Sequence, residues 1–151
     1  MRIESLLADS NVLVRLSDLS SSQHEVCRRA LYECLDRGVA LVVCAQVLIE
    51  FWSVSTRPLE AHGLNRTPLE VYQDCLDILS MMSLLPDPED IFERWLPIVY
   101  QHGVKGKQVH DARLVAVAQA YEIGQILTLN AQDFARYPEV SALLPQQIVA
   151  G

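Results

Sequence analysis

A chain of 151 residues that is half apolar is long enough to bury a core and too apolar to be disordered. No apolar run reaches membrane-spanning length and no basic-then-apolar signal opens the chain, so the expectation is one soluble, cytoplasmic domain over residues 1–151 with no membrane partner. The net charge of −7 excludes broad nucleic-acid binding by charge alone, and leaves room for a local basic rim around an acidic cleft.

The first apolar stretch, Ile3 to Ala8, reads as a strand. It ends at Asp9-Ser10-Asn11, and apolar residues resume over Val12 to Leu16. Asp9 therefore stands at the carboxyl end of a strand, either as a cap for the following turn or helix or as part of a site. Gln23 to Arg37 places its apolar residues on one side of a helix, stopped by Gly38. Val39 to Cys44 is continuously apolar, as in a strand buried on both faces. A helix from Ala45 follows, with Val47, Leu48, Phe51 and Trp52 on its apolar side. Gln46, Glu50, Ser53 and Arg57 fall on another side, either as a solvated face or as a cleft lining with Glu50 as its acid.

Residues 55–66 read as a loop. Thr67-Pro68-Leu69-Glu70 is a capping box with proline at the first helical position. Ser83 to Leu85 is a short strand or extended connector. Asp87-Pro88-Glu89-Asp90 repeats the capping logic before a helix that Pro97 should kink or shorten and Gly103 closes. Ala112 to Ala120 is apolar on almost every side, the mark of a buried helix, with Asp111 at its front where the macrodipole favours an anion. Gly124 is expected to break that helix, and Gln125 to Leu129 to form a strand ending at Thr128-Leu129-Asn130. Asp133-Phe134 begins a short turn or helix, and Gln147 to Ala150 suits a last edge strand. Strands alternate with helices, the pattern of a three-layer α/β/α sandwich with a mainly parallel central sheet.

Cys27, Cys34, Cys44 and Cys75 form no C-x-x-C pair and sit in apolar patterns, which points to free thiols. The four histidines lack zinc-ligand spacing. Asp9, Glu50 and Asp111 are different. Unpaired carboxylates brought together raise one another's pKa, and a divalent cation offsets that cost. Oxygen ligands of this kind suit Mg²⁺ or Mn²⁺, which can activate water against a phosphodiester.

At this point the chain resembles the PIN-domain ribonucleases, of the kind found as VapC-like toxins in toxin–antitoxin pairs. Leu7-Ala8-Asp9-Ser10-Asn11-Val12-Leu13 looks like the family's opening strand with its first acid. Glu50 matches the second acid, Val109-His110-Asp111-Ala112-Arg113 the third, and Thr128-Leu129-Asn130-Ala131-Gln132-Asp133-Phe134 a closing segment. The resemblance implies a metal-dependent endoribonuclease, with Asp9, Glu50 and Asp111 on Mg²⁺ or Mn²⁺ and Asn11 and Thr128 orienting acids or metal waters. It also implies a homodimer acting on RNA and inhibited by an antitoxin that inserts a segment into the acidic cleft.

Asn130 stands where many relatives carry a fourth acid, which weakens the case for a second metal. Asp133 either substitutes for that acid or caps a following helix. Arg57, Lys105, Lys107 and Arg113 are candidates for RNA phosphates. His110, Trp52 and Trp95 read as structural. The competing reading is a PIN-fold binding or scaffold module without catalysis. No G-x-G-x-x-G or Walker loop supports a nucleotide-binding domain, and a D-x-D phosphatase would need an acid at Asn11.

Overall fold

The computed structural model describes residues 3–151. Strand β1 (Ser5–Ala8) runs into α1 (Ser10–Ser17), so the apolar residues after Asn11 are helical. Helix α2 (His24–Asp36) ends where Gly38 turns left-handed at φ 72°, and β2 (Ala40–Cys44) leads directly into α3 (Ala45–Thr56). A 3-10 turn at Leu59–Ala61 precedes α4 (Pro68–Met81), which opens on the expected capping box: Thr67 Oγ1 accepts from Glu70 N–H, and Glu70 accepts from Thr67 N–H. Then come β3 (Ser83–Leu85), α5 (Ile91–Gln101), α6 (Gln108–Ala120) and β4 (Gln125–Leu127). A 3-10 turn at Ala131–Phe134, β5 (Ser141–Leu143) and α7 (Pro145–Ala150) complete the described chain.

The five strands form one sheet in the order β3-β2-β1-β4-β5, parallel at every pairing. Leu6, Leu7 and Ala8 of β1 are all fully buried. Successive strand residues face opposite sides, so helices cover both faces of the sheet. The first crossovers, through α1–α2 and α3–α4, carry the chain outward from β1 to β3. The next, through α5 and α6, carries it back to β4 on the other side of β1. Right-handed crossovers that run in opposite directions place their helices on opposite faces. The order reverses between β1 and β4, and their carboxyl ends flank the crevice where such sheets bind ligands.

Local chemistry overrides several sequence expectations. Gln147 to Ala150 is helix rather than strand. Pro145 presets the first helical turn, the Gln147 side chain accepts from Leu144 N–H at 2.8 Å, and Ile148 is buried. The edge position goes to Ser141–Leu143. Gly124 does not end α6. Glu122 does, at φ 56°, with Ile123 N–H donating to Ala118 O at 2.8 Å and Glu122 N–H to Gln119 O at 3.1 Å. That pair of bonds is a Schellman closure made without glycine. Helix α5 continues past Pro97 to Gln101. Pro97 and Glu93 are both exposed, so the bond that the proline removes lies on the wet side of the helix. Asp90 precedes α5 without capping it and pairs with Arg94 at 2.9 Å instead. The strand expected to reach Leu129 stops at Leu127, although Thr128 N–H still donates to Leu143 O at 3.0 Å.

Cys27, Cys34 and Cys44 are buried free thiols and Cys75 is a half-buried one. Burial pushes the Cys27 thiol up to about 11, so it packs as a neutral apolar group. No helix among the described residues is long and apolar enough to cross a membrane.

Candidate active site

The first acid is set by the end of a buried strand. Asp9 N–H donates to Leu127 O at 2.9 Å, the last step of the β1–β4 ladder. With its backbone so held, the carboxylate caps α1, and Oδ1 accepts from Ser10 N–H at 2.8 Å. Asp9 is thus both cap and site residue, and the two readings of its sequence position are not exclusive. Its Oδ2 accepts from Thr128 Oγ1 at 2.9 Å and from Asn11 Nδ2 at 3.3 Å.

Asn11 and Thr128 bind each other as well. Asn11 Nδ2 donates to Thr128 Oγ1 at 3.1 Å, and Asn11 Oδ1 accepts from Leu129 N–H at 3.1 Å. Thr128 Oγ1 accepts from Asn130 N–H at 3.1 Å. The network ties the start of α1 to the end of β4 across 117 residues of sequence and leaves Asp9 with little freedom.

Glu50 projects from α3 and is held by Gln46, which the sequence offered as part of the same cleft lining, and by Ser10, to which it assigned no role. Ser10 Oγ donates to Glu50 Oε2 at 3.1 Å, and Gln46 Nε2 donates to Glu50 Oε1 at 3.0 Å. Gln46 sits one turn before Glu50 and was legible as its helical neighbour. Ser10 had no such signal, because its partner lies 40 residues away. Gln46 also donates to His110 O at 2.7 Å and accepts from Arg113 NH1 at 2.9 Å. It therefore fixes the front of α6 against α3, and Asp111 with it.

Asp111 lies in the first turn of α6. Burial and the nearby charges of Asp9, Asp133 and Glu50 raise its carboxyl to about 7. Burial raises Asp9 too; Thr128 and Ser10 pull it back, and Glu50 and Asp133 add to the rise. Four carboxylates therefore converge. Asp133 is exposed inside the 3-10 turn and close enough to act on both buried acids, so it does not cap a later helix. Asn130, also exposed, lines a shallow depression together with Asp133.

Among the described residues, no arginine, lysine or histidine forms an ion pair with Asp9, Glu50, Asp111 or Asp133. The charge is left uncompensated by protein, and the donors are all hard oxygens. That chemistry fits a hard divalent cation. Among the described residues, no three His, Cys, Asp or Glu side chains stand grouped closely enough to hold a metal ion by themselves.

Glu50 and Asp111 open onto a cleft of about 770 Å³ that Gln46, Arg57, Lys107 and Arg113 also line. Asp9, 7% exposed, sits behind them. Three of the four expected phosphate cations thus reach one cleft. Lys105 is exposed on the preceding loop and is not part of its wall. Arg113 is engaged, with NH2 donating to Asp87 Oδ2 at 3.2 Å besides its bond to Gln46. His110 is exposed and lines this cleft. Trp52 and Trp95 both pack, half-buried, against the core.

Comparison with known proteins bears on the fold and the family. No curated protein matches the chain. Among solved structures, VapBC2 from Rickettsia felis bound to a DNA fragment from its promoter superposes with a TM-score of 0.69 at 15% identity, covering 93% of this chain and 98% of that one. VapC20 of Mycobacterium tuberculosis, described as a sarcin–ricin loop cleaving toxin, gives 0.68 at 15% identity over 90% and 98%. FitAB bound to a DNA fragment gives 0.64 at 17% identity over 93% and 94%. These are likenesses of fold. The sequence profile of the PIN domain matches residues 6–140, and the chain therefore belongs to the PIN-domain family.

Proposed function

We propose that this protein is a Mg²⁺- or Mn²⁺-dependent endoribonuclease that hydrolyses RNA phosphodiester bonds, and that it is the toxin of a toxin–antitoxin pair. The observation that carries the reading is the convergence of Asp9, Glu50 and Asp111 at the switch point of the sheet, with no cationic side chain neutralising them. Asp9, Glu50 and Asp111 are the residues that would hold the ion. A bound divalent cation supplies polarisation of a phosphate oxygen and a water made more acidic.

The chain's own residues do the rest. Asn11 and Thr128 hold Asp9, while Ser10 and Gln46 hold Glu50, and each carboxylate keeps acceptor capacity beyond those bonds. Arg57 and Lys107 line the same cleft and offset the charge of an RNA backbone that must approach an acidic centre. Pre-set donors cost no reorganisation when charge develops. Asn130 contributes an amide rather than a charge, and the reading uses one ion.

An RNA substrate is also what the fold neighbour described as cleaving the sarcin–ricin loop acts on. A fold neighbour solved as a toxin–antitoxin complex from Klebsiella pneumoniae supports an antitoxin partner, and we propose a homodimer in cytoplasm. The deciding experiment incubates a pool of structured RNAs with purified protein in EDTA, Mg²⁺ or Mn²⁺, beside Asp9→Asn. Metal-dependent cutting by the wild type alone is expected. Equal cutting by both proteins would remove Asp9 from the site. Mixing with the product of the neighbouring reading frame should give a complex that no longer cuts.

A further inference from the structure

The acidic cleft has an apolar annex that catalysis by carboxylates does not require. A cavity of about 370 Å³ is lined by Ile91, Phe92, Trp95, Val109, His110 and Arg113. His110 and Arg113 are walls of both this cavity and the acidic cleft, and Asp111 stands between them on the same turn of α6. The two spaces therefore adjoin across His110 and Arg113, one apolar and the other charged.

The annex is built from side chains that the core covers only in part, with Ile91 and Trp95 packed half-buried against it. Phe92 is 58% exposed although it belongs to a well-formed helix. Trp95, one turn on, is fixed: its Nε1–H donates to Val109 O at 2.8 Å, so the indole is held against α6. The two rings stand 5.8 Å apart at 40°. The lining holds no carboxylate, and its polar groups are an imidazole and a guanidinium. Cavities of this size suit a small ring system. Fixed aromatic faces beside cations are the usual platform for unpaired nucleobases, which stack on the rings while phosphates meet the charges.

We propose that the Phe92–Trp95 cavity receives one unpaired nucleobase of the RNA, from the nucleotide next to the scissile phosphate, and so confines cleavage to unstacked positions. The inference rests on the nuclease reading. The juxtaposition that carries it is the shared His110–Arg113 wall, which puts the aromatic pair beside the acids. Arg57 and Lys107 then lie on the path of the same backbone. An apolar side chain of a partner protein is the rival occupant.

The test reads binding separately from cutting. Cleavage sites are first mapped in the RNA pool, and a short oligonucleotide spanning one site is titrated into Trp52→Phe/Asp9→Asn protein with Mg²⁺, following Trp95 emission. Versions with one abasic nucleotide at each position flanking the cut are compared. Expected is quenching that one abasic position abolishes, binding about tenfold weaker for Phe92→Ala, and near-normal binding for Phe92→Tyr. Phe92 is exposed, so its alanine variant should remain folded. RNA that is cut and bound with unchanged Trp95 emission and no effect of Phe92→Ala overturns the cavity assignment and leaves the nuclease standing. Trp95 quenching by the antitoxin but by no RNA gives the cavity to a protein partner and overturns it too. If no RNA is either cut or bound, the nuclease reading is overturned, and this inference with it.

Discussion

At the residue scale the most informative group is Asp111, whose carboxyl lies near 7 because burial and three neighbouring carboxylates oppose its charge. An acid whose folded pKa is raised binds more protons folded than unfolded between its ordinary value of 3.8 and about 7. Stability conferred by protonated Asp111 is thus fully present below that window and lost as pH rises through it. In EDTA the protein should lose stability across this range, and Asp111→Asn should be the more stable protein at pH 8, by on the order of 1 kcal/mol. Thermal melts over a pH series check both. A divalent cation should lower the Asp111 pKa and release protons on binding, which calorimetry in buffers of different ionisation enthalpy would detect.

Thr128 is the complementary case. It is fully buried, donates to Asp9 and accepts from Asn11 and Asn130. Thr128→Val keeps the shape and removes every one of these bonds. A cost of about 1–2 kcal/mol is expected in denaturant titration. The Asp9 carboxyl, now without the bond that pulls it down, should titrate higher, so metal binding should shift to higher pH.

At the scale of elements, the segment after α3 decides where Arg57 stands. It folds back on the helix: Leu64 N–H donates to Val54 O, Arg66 N–H to Ser55 O, and Asn65 N–H to Arg57 O. Gly63 lies so close to Arg57 that an added Cβ would fall 2.1 Å from the Arg57 carbonyl oxygen. Gly63→Ala must displace that backbone, so it should cost about 2 kcal/mol and weaken RNA binding through Arg57. By contrast Thr67→Ala removes only the side-chain half of a capping box, exposed at α4, and should cost about 1 kcal/mol without touching RNA affinity. Comparing the two variants separates a helix stability effect from a cleft effect.

At the scale of the molecule, the proposed function requires a chain of net charge −7 to meet a polyanion through the three cations that line one cleft, Arg57, Lys107 and Arg113. Long-range attraction is absent, so affinity must come from local contacts. The plot of log affinity against log salt for single-stranded RNA should have a slope no steeper than about −2, as expected for three phosphate contacts. A much steeper slope would point to a basic surface elsewhere, such as one completed by a second copy of the chain.

The alternation of apolar strands and helices is local information, written in residue types and spacing. That is why a mainly parallel α/β architecture, the capping box at Thr67, the buried α6 and the strand-end placement of Asp9 could all be read from the chain, while the parallel pairing of every strand came only with the fold. Glu122 as a left-handed helix terminus and the helix at Pro145–Ala150 could not, because competing local signals there were settled by backbone bonds and by burial of Ile148. The acids themselves were legible as residues in order. Their convergence was not, since it depends on the switch point between β1 and β4 and on bonds such as Ser10 to Glu50 that span 40 residues. Charge repulsion, proton affinity and cation demand fall off with distance in space rather than in sequence, so only the folded chain sets them.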